Sequence, residues 1–513
     1  MTNNANLYAH FESHFPDDLE TPLLTTAEGR RVSYREADQA SARIATALRG
    51  LGACPGDRVT VQIEKSVENL CLYLACLRAG LVFHPLNTAY TAAELAYFLG
   101  NAEPSIVICD TSALASMQTV LGEITVKALL TLDANGSGSL MALADGAIAD
   151  AYIAPRNGAD MAALLYSSGT TGRPKGIMLS HDNLRKSAET LVAAWGFSAA
   201  DHLLHMLPIY HVHGLFVGVS CVLMCGASMS WHRGFNDTAA VAAMPDCTVM
   251  MGVPTYYTRL LSNPSFGPKC CANMRLFISG SAPLLIETFA EFEVRCGHTI
   301  LERYGMSETN MNTSNPLHGE RRAGTVGPAL PGVALRLVDD AGVPMLDAQT
   351  TGGIGDLQVR GPNVFAGYWR MSEKTAEDFT ADGFFDTGDK ATIDADGYVS
   401  IVGRAKDLVI CGGLNVYPKE IELVVDDMAG VRESAVIGVP HADFGEAVVA
   451  VIVADEPEKC GIVLSQEQII AHCRTQLANF KVPKRVEFID SLPRNTMGKV
   501  QKNLLRDRFG GVV

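Results

Sequence analysis

Polar and apolar positions alternate in two registers along the first 130 residues. The run YREADQASARIATALRGL, 34–51, follows a helix-like pattern, with Ser33 placed to cap it and Gly52 to end it. RVTVQI, 58–63, alternates as a strand does. Residues 69–80 are apolar and helix-length, and LVFHPL, 81–86, then reads as a buried strand. A helix over 91–99, a strand over 105–109 and a helix over 114–121 continue the alternation. Such a sequence predicts an α/β protein with largely parallel sheets. Residues 134–160 are rich in Gly, Ala and Ser and read as a connection. MAALL, 161–165, and the apolar pattern resuming at Ile177 predict two strands around a polar loop. MRLFISGSAP, 274–283, predicts a strand ending in a flexible turn, and 394–397 a hairpin turn. Beyond about 404 a separate small α/β module is expected. It has a helix over 417–428, strands at ESAVIGVP and AVVAVIVA, and a helix over 465–477 capped by Ser465.

Size and charge narrow the partners. A chain of 513 residues is too long for one core, so at least two domains are expected. The net charge of −15 and the lack of a long basic run argue against nucleic acid. The 13 cysteines are scattered without a C-x-x-C pair, which fits reduced thiols in a cytoplasmic enzyme and argues against zinc. The N-terminal MTNNANLYAHFESHF has no basic-then-apolar signal pattern. The longest apolar run, 214–229, is interrupted by Gly and Ser and is too short for a membrane span; a buried helix is expected there.

The densest chemistry lies at YSSGTTGRPKG, 166–176. Its glycines let the backbone approach a ligand closely, and its N–H groups and hydroxyls can wrap phosphate oxygens. Lys175 adds a point charge. The stretch is not a Walker A loop, because G-x-x-x-x-G-K-[ST] is absent. In LERYGMSETNMNT, 301–313, Tyr304 offers a stacking face, Ser307 a hydroxyl and Glu308 an oxygen ligand suited to Mg²⁺. Asp389, ending GFFDTGD, suits the two hydroxyls of a ribose. His211 and His213 stand in an apolar run, HMLPIYHVHG, with no carboxylate or Cys at ligand spacing, so core packing or a pocket wall is expected rather than a metal site.

These motifs, in this order, resemble those of the adenylate-forming enzymes: acyl-CoA synthetases, luciferases and adenylation domains. The resemblance covers nearly the whole chain. It implies that Ser167, Ser168, Gly169, Thr170, Thr171, Gly172 and Lys175 hold phosphates, and that Glu308 and Thr170 hold Mg²⁺. It places Ser279, Ser281 and Ala282 against the adenine and acyl groups. Tyr304, Gly305, Met306 and Ser307 then surround the nucleotide, Met306 also touching the acid. Asp389 and Arg404 take the ribose and phosphate, and Lys406 is the hinge between domains 1–403 and 404–513. Gly412 and Gly413 open the path for the thiol. His211, His213 and Arg275 join the acid-binding group. The tail LPRNTMGKVQK matches the family's P-[RK]-x-x-x-G-K motif, making Lys499 catalytic beside Glu308 and Lys175. The implied fold is a large multi-sheet α/β domain with a small mobile α/β lid. The implied reaction joins a carboxylic acid to ATP as an acyl-adenylate, then passes the acyl group to CoA.

Arg303 stands where many family members carry a small residue, and it is counted with both the nucleotide-binding and acid-binding groups. A guanidinium there suits a second carboxylate. ERYGMSETNMNTSNP, GPNVFAGYWRM and ESAVIGVPHADFGE further resemble malonyl-CoA synthetases within the family. Malonate or methylmalonate is therefore the expected acid, with no nucleic acid or membrane partner. The alternatives are a short- or medium-chain or aryl acyl-CoA synthetase, and a stand-alone adenylation enzyme that loads a carrier protein.

Overall fold

The computed structural model describes residues 4–122, 124–167, 174–345, 352–404, 407–411, 414–441, 445–455, 462–495 and 498–510. Two layered sheets form the bulk of the molecule. The six-stranded sheet runs in the order 128–131, 106–109, 58–62, 82–85, 161–167, 175–180, and only its last pairing is antiparallel. The eight-stranded sheet runs 313–314, 301–304, 276–279, 249–252, 202–205, 228–231, 22–26, 31–33, with parallel pairing through its centre. Parallel strands are covered on both faces, which is why Val82–Pro85 and Ile106–Cys109 are buried throughout, His84 being their one polar side chain. The helix Val67–Arg78 is buried at every residue. Its Tyr73 ring packs on Phe83 of the six-stranded sheet and on Phe216 of the helical stretch His213–Val219, at 5.2 and 5.9 Å.

Local signals match the outcome closely where a cap is present. The helix Tyr34–Gly50 opens with a reciprocal Ser33–Glu36 capping box, and Gln466–Gln476 with a Ser465–Gln468 box. The apolar run 214–229 holds the expected buried helix as far as Leu223 and departs from it only beyond. It is a widened helical stretch, His213–Val219, continued by Ser220–Leu223 and stopped at Gly226, which has φ +66°. The strand Ser228–Trp231 follows. The connection over 134–160 includes a short helix, Ser139–Asp145.

A third, four-stranded antiparallel sheet runs 334–338, 355–360, 385–393, 399–404. Arg404 is its last residue, opposite Asp389. A five-stranded sheet then begins at Val409. The helices Pro418–Asp426 and Gln466–Gln476 pack on one of its faces, and Leu492 and Leu505 on the other. No described helix is long and apolar enough to cross a membrane. The described cysteines are free thiols, and all but Cys54 and Cys225 are buried.

Candidate active site

The candidate site lies where the strand Leu301–Tyr304 ends against the four-stranded sheet. Tyr304 donates its hydroxyl hydrogen to Asp389 Oδ2 at 2.5 Å, and Arg404 Nε lies 2.6 Å from Asp389 Oδ1. Asp389 is thus the meeting point of the second and third sheets. Burial, then the Asp389 charge, pushes the Tyr304 phenol far above its ordinary range. After Tyr304 the chain folds sharply: a Cβ on Gly305 would lie 1.8 Å from Asn310 O, so only glycine fits. Met306 and Ser307 occupy this fold, both half-buried. Glu308 follows, 6% exposed. Burial raises its pKa, and Lys175 and Arg404 oppose that rise.

Lys175, at the start of the strand Lys175–Ser180, reaches the Tyr368 hydroxyl at 3.0 Å and Asp378 at 3.5 Å. Tyr368 and Asp378 were not among the residues the sequence brought forward, having no motif of their own. Lys499 enters from the small module. Asn495 Oδ1 accepts from Lys499 N at 3.0 Å, and Gly498 turns with φ +75°. A Cβ on Gly498 would lie 3.3 Å from Thr255 Oγ1, so this turn docks on the large domain. Lys499 keeps contact with solvent, yet desolvation in the cleft and then the Arg404 charge lower its pKa; Asp389 and Asp407 partly offset this.

A second group of side chains lines the space beside Tyr304. Arg303 is 3% exposed, and its Nε and Nη2 are buried without a hydrogen-bond partner. Among the described residues it pairs with no carboxylate. Desolvation brings its pKa down to about 10, so it stays cationic at neutral pH. A Cβ on Gly280 would fall 2.4 Å from Arg303 Cζ. Gly280 therefore makes the space that the guanidinium fills, a requirement invisible until the two strands are side by side. Ser279 Oγ is buried and unpartnered nearby, and Ser281, with φ +71°, lies 3.3 Å from His213 Nδ1. Nε2 of both His211 and His213 is buried without a partner. Burial lowers His211 to about 4; burial and then Arg303 lower His213 well below 6.5, so both rings are neutral.

Glu302, beside Arg303 in the strand, points elsewhere. Its Oε1 accepts from Leu284 N at 3.1 Å and anchors the turn that holds Ser281 and Ala282. Burial pushes its pKa to about 8. The folded chain therefore keeps a proton that the unfolded chain releases near 4.5. Stability should fall as pH rises across that window, by a few kcal/mol at most at ~1.4 kcal/mol per unit. Glu302→Gln should flatten the fall. Denaturant titrations at pH 5 and pH 8 check this, and equal slopes in both proteins would refute it.

Arg275 does not join the site. It opens the strand Leu276–Ser279 at the end away from the cleft. There it grips Asp201 through Nε and Nη2 at 2.7 and 2.8 Å and caps Trp195 O at 3.0 Å. The motif placed it on the right strand but at the wrong end. Ser168, Gly169, Thr170, Thr171, Gly172, Lys406, Gly412, Gly413 and the side chain of Ser167 lie outside the described residues.

These stacked sheets, with a small α/β module closing over an Asp389–Tyr304 cleft, make up the fold of adenylate-forming enzymes. The AMP-binding enzyme family matches residues 12–369 and the AMP-binding enzyme C-terminal domain matches 420–499; the chain belongs to this family. Membership bears out the expected class, an AMP-forming acid–thiol ligase that takes ATP and CoA. A malonate–CoA ligase of Arabidopsis thaliana is 32% identical, over 94% of this chain and 85% of its own. A probable CoA ligase of Humulus lupulus is 35% identical, over 93% and 84%. The crystal structure of ATP-bound MatB from Rhodopseudomonas palustris is 51% identical, covers 99% of both chains and superposes with a TM-score of 0.96. The apo form of that protein superposes with a TM-score of 0.85.

Proposed function

We propose that this protein converts malonate, ATP and CoA to malonyl-CoA, AMP and pyrophosphate. One observation carries the choice of acid: Arg303 is a buried cation whose Nε and Nη2 have no partner among the described residues, close to the neutral His213. An isolated buried charge is costly, and a ligand carboxylate would remove the cost. Malonate has one carboxylate to react and a second to pair. The likeness to the malonate–CoA ligase and to MatB supports the same reading. Methylmalonate, with one added methyl, fits the same chemistry.

In the first half-reaction one malonate carboxylate oxygen attacks the α-phosphorus of ATP. The new C–O–P bond forms as the bond to pyrophosphate breaks. Two anions must meet, so charge neutralisation and alignment govern the rate. Asp389 and Arg404 are assigned to the ribose, Tyr304, Ser281 and Ala282 to adenine, and Gly305, Met306 and Ser307 to the nucleotide's near face. Lys175 and the 167–172 loop are assigned to the outer phosphates, and Lys499 to the α-phosphate. Glu308, a buried oxygen donor beside Lys175 and Arg404, fits a hard cation, so with Thr170 it would hold Mg²⁺. Bound there, the ion would supply positive charge to the phosphates. In the second half-reaction the CoA thiol attacks the acyl carbon, and the C–O bond to AMP breaks. The lid, expected over 404–513, is assigned a rotation about Lys406 between the halves, with Gly412 and Gly413 beside the thiol path. The closer superposition on the ATP-bound form than on the apo form supports the present placement of Lys499 as that of the first half.

A panel of malonate, methylmalonate, succinate, acetate and octanoate, assayed for AMP release with CoA, tests the reading. Malonate should exceed acetate in kcat/KM by about 10²-fold, the scale of one charge-assisted pair. Equal use of acetate or octanoate would overturn it. Gly280→Ala gives a finer check. Its methyl must displace the flexible Arg303 side chain, so the malonate KM should rise roughly tenfold while the ATP KM stays within about twofold. An unchanged malonate KM would separate Arg303 from acid binding.

A further inference from the structure

The described residues hold a second buried cation, outside the nucleotide cleft. Lys65 follows the strand Arg58–Gln62 of the six-stranded sheet and is 5% exposed. No described carboxylate pairs with it. Its Nζ lies 2.7 Å from His205 Nδ1, 2.9 Å from His205 O and 3.0 Å from Leu207 O, and 4.1 Å above the Trp231 ring. His205 Nε2 lies 2.9 Å from Gly214 O. A carbonyl only accepts, so this nitrogen carries the ring proton and Nδ1 is an acceptor. Lys65 therefore faces three acceptors and an indole face. A neutral amine has two N–H groups and would leave one acceptor against a lone pair; an ammonium satisfies all three. Burial works against the charge and lowers the Lys65 pKa.

What Lys65 grips matters more than its charge. It binds the Leu207 carbonyl directly and, through His205, the Gly214 carbonyl. These are the two ends of the span 207–214. That span folds tightly on itself, since a Cβ on Gly214 would lie 2.0 Å from Pro208 O. Within it stand His211 and His213, each with a buried Nε2 that has no partner among the described residues; His213 feels the Arg303 charge and neighbours His211. The Lys65–His205 pair thus holds both ends of the span against the end of the strand Arg58–Gln62.

We propose that Lys65 is a positioning residue for acid selection: through His205 it clamps the span 207–214, so that His211 and His213 stand beside Arg303 and close the pocket around a short dicarboxylate. This rests on the reading of that space as the acid pocket. The nucleotide groups Tyr304, Asp389 and Arg404 have no contact with the clamp. Cutting it should loosen acid recognition and leave ATP recognition intact.

The test uses three full-length variants, with wild type beside them on the acid panel. Lys65→Met removes the clamp and keeps most of the volume. His205→Leu cuts the link to Gly214. His205→Gln can still accept from Lys65 and donate to Gly214 O. The clamp predicts that Lys65→Met and His205→Leu raise the malonate KM about tenfold or more and lower the malonate-to-acetate preference. The ATP KM should stay within about twofold, and His205→Gln should restore most of the preference. Melting temperatures are recorded for each. Folded variants with unchanged acid preference, acid and ATP KM values rising together, or a failure of both cut variants to fold would each mark the cluster as structural and overturn the proposal. If wild type itself does not prefer malonate, the malonate reading fails alone, and the clamp is judged on the KM of whichever acid wild type uses best.

Discussion

Lys499→Ala is expected to slow acyl-adenylate formation by roughly 10²–10³-fold, the cost of one preorganised donor aimed at developing charge. Thioester formation from supplied acyl-AMP and CoA should change by no more than about threefold. The asymmetry follows from where the side chain sits. Its turn docks by Gly498 on Thr255 of the large domain, and its ammonium feels Arg404 and Asp389, the groups assigned to the nucleotide. It can act only while the small module holds this placement. A module that rotates between half-reactions would carry Lys499 away before the thiol arrives. Pyrophosphate exchange reads the first half, and acyl-AMP consumption the second; equal losses would refute the division of labour. The pH dependence has a definite sign. Desolvation and Arg404 lower the Lys499 pKa, so its charge is lost at lower pH than on a free lysine, and adenylation should decline on the alkaline side first.

Sequence reading reached the sheets and most of the nucleotide cleft because those signals are local. A serine before a helix declares a cap, as Ser33 and Ser465 do, and Tyr304 to Glu308 are neighbours in the chain. What it missed depends on strands brought together from afar. Gly280 is an ordinary turn residue until the Arg303 guanidinium is seen in the space a Cβ would take. Asp378 and Tyr368 flank Lys175 from about 200 residues downstream and carry no motif. Arg275 errs in the opposite sense. Its strand runs toward the site, but an arginine at the strand's first turn faces the far end, where Asp201 holds it. In the run 214–229 the expected buried helix forms as far as Leu223, but the apolar pattern continues into the strand Ser228–Trp231 without a break in period, and Gly226 marks the change.

Arg303→Ala is expected to raise the malonate KM by roughly 10²-fold, within the range for removing one member of a buried charge pair. The ATP KM should stay within about twofold, because adenine and ribose are assigned to other residues. Two further readouts separate a lost partner from a damaged pocket. In the free enzyme the guanidinium is desolvated with no counter-ion among the described residues, so its removal should leave the melting temperature unchanged or higher. Wild type should gain thermal stability on adding malonate, as any ligand that binds only the folded state confers, and the variant should not. Acetate, which has no second carboxylate, should be used as well by the variant as by wild type. From neutral pH upward the effect should stay flat to about 9, since Arg303 keeps its proton until about 10. An unchanged malonate KM, or equal losses for malonate and acetate, would show that Arg303 does not read the second carboxylate. The acid would then have to be sought among monocarboxylates, with His211 and His213 lining a pocket whose cation serves the nucleotide instead.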